Sequence, residues 1–150
     1  MTGPVQAVLR RAAWLLAACW LIAPVGAWIA HQRLGMALAP ADWQTWMWVL
    51  AGAPWLEEWI FRSLLQQGLA QWLAPRWSAP RAAWLAALLS AAGFALAHAP
   101  AYGLAALWWG LPGLALAMLW RQGAGLPACV ATHAWFNACL AGVSAWSLHG

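Results

Sequence analysis

A chain of 150 residues with only ten charged side chains cannot enclose itself in a water-facing surface. Soluble domains give roughly a quarter of their residues to Asp, Glu, Lys and Arg. Here the share is 7%, against 65% apolar. The expected solvent over most of the protein is lipid, in which only helices and closed barrels leave no backbone polar group unpaired. All seven basic residues are arginines, and the acids are Asp42, Glu57 and Glu58 alone. No basic run lies behind the net charge of +4 beyond Arg10-Arg11, so nucleic acid is set aside as a partner. Cys19, Cys129 and Cys139 sit in apolar stretches without metal-ligand spacing and read as small apolar fillers.

Polar or Gly/Pro breaks divide the chain into five apolar stretches, 10–31, 43–73, 80–99, 103–121 and 125–147. Their lengths predict an all-α fold: a polytopic membrane helical bundle of about five transmembrane helices, forming one domain over 1–150. The run Ala12 to Ala30 exceeds a signal-peptide core and reads as an uncleaved helix. The second stretch is longer than a span, and its end (Gln66, Gln67, Gly68, Gln71) is expected at the interface or beyond it. With a cytoplasmic N-terminus, Arg10, Arg11, Arg76, Arg81 and Arg121 fall inside and Arg33 outside, which satisfies the positive-inside rule. Of the sixteen tryptophans, Trp43, Trp46, Trp77, Trp108, Trp109, Trp120 and Trp146 are placed near interfaces. Trp55, Trp59 and Trp84 are expected deeper, as packing residues, with substrate contact the other reading for Trp55 and Trp59, which flank the acidic pair.

Ionisable side chains inside hydrocarbon are expensive, roughly 2.5–3.5 kcal/mol each for Asp, Lys or Arg at a helix centre. Glu57, Glu58 and Arg62 nevertheless fall within two turns of the second stretch. Glu58 and Arg62 are four apart and share a face. Glu57, turned about 100° away, has no local partner and suits a general base. A purely structural ion cluster leaves unexplained why two acids accompany one base. Two more polar sites recur at i, i+4: Phe94 with His98 in the third stretch, and His133 with Asn137 in the fifth. His31 and His149 receive no role. Pro54 is expected to leave the Leu50 carbonyl without its usual donor, which reads either as a kink that admits water to the site or as a tolerated membrane proline packed against a neighbour.

In order, these are E-E-x-x-x-R at 57–62, F-x-x-x-H at 94–98 and H-x-x-x-N at 133–137. The pattern resembles the CAAX-processing and bacteriocin-processing (CPBP) family of intramembrane proteases, and matches it at every defining position. The resemblance implies that Glu57 activates water together with His98. It also implies that His133 and Asn137 stabilise the oxyanion, and that Glu58 and Arg62 orient the helix. His133 can donate from either tautomer. No serine or cysteine occupies a motif position, so an acyl-enzyme is not expected. The compact size resembles bacterial sorting proteases, including those whose substrates carry a JDVT-type C-terminal anchor. A membrane-anchored protein or peptide substrate, the lipid bilayer and the bacterial cytoplasmic membrane are the implied partners and location.

No cofactor is expected. The alternative is a zinc site on Glu57, His98 and His133, although H-E-x-x-H is absent. Depth poses a difficulty: Glu57 lies about 24 Å from the end of its stretch and His98 about 27 Å from Pro80, but His133 only about 12 Å beyond Gly125. Convergence therefore requires a fifth helix that begins deeper, through a re-entrant Gly123–Pro127 segment. Competing functions are a non-catalytic immunity or assembly factor of the same fold, and a proton-relay transporter, which the lack of an internal repeat disfavours.

Overall fold

The computed structural model describes residues 4–149, and over them the chain is a set of helices joined by short turns, with no strand among the described residues. Helix α1 is Pro4–Leu34. Helix α2 covers 43–73 as one continuous run, α-helical except for two π-helical segments, Trp48–Gly52 and Trp59–Gln66. Asp42 caps it, its Oδ1 accepting from the Thr45 amide at 2.7 Å. Helix α3 is Ala79–Tyr102, followed by a 3₁₀ segment Gly103–Trp109, α4 at Gly110–Arg121 and α5 at Gly125–His149. All five apolar stretches are thus helical, with ends moved by up to six residues.

Three runs are long and apolar enough to cross a bilayer: Arg10–Leu34, Ala79–Arg121 and Gly125–Ser147. A straight helix over the 43 residues of the second run would be about 64 Å long, twice a hydrocarbon core. It does not continue straight. Gly103 takes φ +56°, open to glycine without strain, and the chain returns along α3. A Cβ on Gly113 would lie 3.0 Å from the Phe94 ring, so the absence of a side chain there permits the α3–α4 approach.

Contacts fix the directions. Trp20 meets Thr132, and the Leu38 amide donates to Ser144 Oγ, so α1 and α5 run parallel. Leu73 packs on Ala82, and Arg121 stacks over Trp84 at 4.4 Å, so α2 and α4 run opposite to α3. Arg76, Arg81 and Arg121 therefore share one end of the bundle.

Both helix-interior prolines near α5 release a carbonyl, and α5 supplies the donor. Pro24 has no N–H for the Trp20 carbonyl, which instead accepts from Trp135 Nε1 at 3.0 Å while the two indoles stack at 5.2 Å. In α2 the π register pairs the Ala53 amide with the Trp48 carbonyl, so Pro54 deprives Val49 rather than Leu50. Asn137 Nδ2 donates to that Val49 carbonyl at 2.9 Å. The freed group sits one residue earlier than α-helical spacing implies because the bonds here span five residues. Trp135→Phe keeps the stacked ring and removes the donor, and should cost about 1–3 kcal/mol. Adding Pro24→Ala restores an intrahelical N–H and should return most of that loss. Thermal unfolding in detergent of the two single variants and the double variant checks this, and equal losses from Trp135→Phe in both backgrounds would contradict it.

Several local expectations change. Trp55, Trp59 and Trp84 lie on the outer surface rather than in packed positions, because α2 and α3 turn their polar and small residues inward. Trp109, expected at an interface, is buried against His98. Gln66 is also internal, with its Nε2 donating to the Ala117 carbonyl at 2.9 Å. Cys19 and Cys129 are buried free thiols, as an apolar-filler role requires, and Cys139 is half-buried.

Candidate active site

Helices α2, α3 and α5 bring one ionisable cluster together. Glu58 and Arg62 face inward and are fully buried. Arg62 Nε donates to Glu58 Oε2 at 2.8 Å, the pairing that their i, i+4 spacing predicts. The other carboxylate oxygen, Oε1, lies 2.9 Å from His133 Nδ1. A carboxylate held by an arginine accepts from both sides, so Nδ1 of His133 carries a proton. Glu58 therefore sets the orientation of an imidazole on another helix, a contact without a local signature in the sequence.

His98 is held in the same sense. Its Nδ1 lies 2.8 Å from the Phe94 carbonyl, which can only accept. Each histidine consequently turns Nε2 outward, and both Nε2 atoms sit 3.8 Å from the same atom, Glu57 Oε2. That oxygen is enclosed and has no hydrogen-bond partner, although the Glu57 side chain as a whole keeps 29% of its surface exposed. Glu57, His98 and His133 thus meet at one point. Because the Nδ1–H of His133 is committed to Glu58, its Nε2 accepts when the ring is neutral and donates only when the ring is the imidazolium. This is narrower than the choice of tautomer that the residue type alone allows.

Phe94 forms the floor. Its ring lies 4.6 Å from His98, 5.5 Å from His133 and 5.2 Å from Phe61, with the Arg62 guanidinium carbon 5.7 Å from its centroid. Trp109 closes the side of His98 at 4.9 Å, and Tyr102 stacks beyond it. Asn137 is one turn beyond His133, with one carboxamide N–H on Val49. Ser90, which none of the sequence motifs includes, is fully buried beneath Arg62. Its place four residues before Phe94 is the one signal it leaves in the sequence, and a weak one, because serine in a membrane helix usually bonds its own backbone.

Convergence is reached without a re-entrant loop, since α5 is helical from Gly125 and His133 meets Glu58 at 2.9 Å. Gln66 is level with Ala117, and α2 runs seven residues further while α4 runs only four. The α4–α5 turn therefore lies about 4 Å further inside the bundle than the end of α2, at 1.5 Å per residue. Gly123 and Gly125, both at φ +79°, make that turn short.

The order E-E-x-x-x-R, F-x-x-x-H, H-x-x-x-N now has a common location, and a family comparison agrees. Residues 38–139, some two thirds of the chain, match the family described as type II CAAX prenyl endopeptidase, Rce1-like. The chain belongs to that family. Comparison with curated proteins and with solved structures returned no match. Membership in the Rce1-like family, with three runs able to cross a bilayer, makes this an integral membrane protein and supports CAAX-type endopeptidase activity.

A tetrahedral zinc site, with bonds of about 2.0–2.1 Å, holds its ligand atoms about 3.4 Å apart. Both nitrogen-to-oxygen separations around Glu57 are wider, at 3.8 Å. Among the described residues no group of three His, Cys, Asp or Glu side chains is arranged to hold a metal ion. The three side chains stand slightly wider than a bound zinc ion would hold them.

Proposed function

We propose that this Rce1-like protein is a glutamate-dependent intramembrane endopeptidase that hydrolyses a peptide bond in a membrane-anchored protein. Its role would be to process a C-terminal anchor or sorting signal, of which a JDVT-type anchor is one form, at the bacterial cytoplasmic membrane with the N-terminus inside. The observation that carries this reading is the meeting of two histidine Nε2 atoms on Glu57 Oε2, each at 3.8 Å.

Charge accounts for the number of acids. Ionised Glu57 and Glu58 with Arg62 leave the cluster at −1 when both imidazoles are neutral. The proposed cycle begins with one further proton, carried on His133 Nε2, which brings the cluster to zero net charge. In the proposed cycle, Glu57 and His98 take a proton from water as its oxygen attacks the scissile carbonyl. His133 Nε2–H and the second N–H of Asn137 stabilise the oxyanion. The proton then passes to the leaving amine as the C–N bond breaks. Donors of this kind are worth about 2.7–4 kcal/mol each in the transition state.

Peptide termini compared between native membranes carrying wild type and Glu57→Gln test the reading. Termini that vanish with the variant, while it still inserts, identify protease and substrate together. Identical profiles with candidate substrates expressed would favour an immunity or assembly factor. Cleavage is expected to persist under a strong chelator. Loss restored by zinc alone would instead make Glu57, His98 and His133 ligands.

A further inference from the structure

Ser90 lies outside every motif and contacts none of the three groups that meet at Glu57, yet the buried hydrogen bonds of the site begin with it. Arginine has only donors, so Ser90 Oγ accepts from Arg62 Nη1, at 3.0 Å. The single hydroxyl proton goes to the Phe61 carbonyl at 2.8 Å, inside the second π segment of α2. Both capacities are engaged, and the hydroxyl has one orientation. From Arg62 the sequence of bonds continues through Nε to Glu58 Oε2 at 2.8 Å and from Glu58 Oε1 to His133 Nδ1 at 2.9 Å. Ser90, Arg62 and Glu58 are each 0% exposed, and His133 is 2% exposed, so no water substitutes for a missing link.

We infer that Ser90 is a positioning residue: it holds Arg62, and through Arg62 and Glu58 it keeps Nε2 of His133 turned toward Glu57. Arg62 Nη2 is already buried without a partner, so Ser90 is the hydroxyl that fixes the far end of the guanidinium. Without it the fork rotates, Glu58 loses its fixed plane, and Nδ1 of His133 is no longer held against one oxygen. The consequence for catalysis rests on the proposed endopeptidase activity. The effect on the imidazole does not.

The test uses full-length protein in detergent or nanodiscs. Ser90→Ala and Ser90→Cys should each lower kcat by about tenfold to a hundredfold, the equivalent of one charge-assisted hydrogen bond, with KM changed less than about twofold. Ser90→Thr, which keeps the hydroxyl, should recover most of the rate. In an Arg62→Lys background, Ser90→Ala should cost less than about twofold more, because contacts in series are not additive. Imidazole ¹⁵N resonances give a readout without activity: wild type should show one His133 state protonated at Nδ1, and Ser90→Ala a mixture. Additive losses, full activity of Ser90→Ala or unchanged His133 resonances would overturn the inference. A wild type that cleaves nothing would remove the endopeptidase reading and leave the resonances to decide on Ser90.

Discussion

Arg62→Leu is expected to lower the folding free energy by about 3–5 kcal/mol, the loss typical when one partner of a buried ion pair is removed. The reason lies with Glu58. Its carboxylate is fully buried, accepts from Arg62 at 2.8 Å and from His133 at 2.9 Å, and has no route to solvent. Leucine would fill much of the volume but leave a negative charge in a medium that cannot solvate it. Adding Glu58→Gln removes that charge and keeps an oxygen for His133, so the double variant should recover most of the stability. Thermal unfolding of purified protein in detergent measures both. An Arg62→Leu protein as stable as wild type would show that the buried Glu58 does not depend on Arg62.

Glu57→Gln is expected to behave in the opposite way, lowering kcat by about 10²–10⁴-fold, the range for loss of a positioned general base. Its melting temperature should stay close to wild type. Glu57 Oε2 has no hydrogen-bond partner, and 29% of the side chain is exposed, so its charge is not invested in holding helices together. The adjacent acids thus separate into one enclosed by partners and one with an unpaired Oε2, the acid that the proposed reaction would use. Cleavage by Glu57→Gln at near wild-type rate would remove Glu57 from the reaction. A large drop in melting temperature would make both acids structural.

Much of this architecture is legible in the amino-acid sequence. The shortage of charge implies lipid, lipid implies helices, and the five apolar stretches correspond to the observed helices. The i, i+4 spacing of Glu58 with Arg62, Phe94 with His98, and His133 with Asn137 correctly describes which side chains share a face. Contacts between helices are not legible. Glu58 reaching His133, Asn137 serving Val49 and Ser90 fixing Arg62 join residues 75, 88 and 28 positions apart, and helical periodicity carries no information about such pairs. Trp55 and Trp84 depart from expectation for a related reason. In lipid a large apolar residue is as stable outside as inside, so hydrophobicity no longer reports burial. The π segments leave no signal either: propensity reads residues one at a time, and a change of register belongs to the helix together with its neighbours.

The prolines of α1 and α2 also give the fold an order in time. A ribosome delivers α5 after α1 and α2, when the Trp20 and Val49 carbonyls have already entered the membrane without their donors. The same late helix carries His133, the partner awaited by Glu58. Until it inserts, the earlier helices hold two unanswered backbone groups and an incomplete cluster. Its arrival supplies all three missing donors at once. Completion of the bundle and closure of the buried cluster are therefore one event.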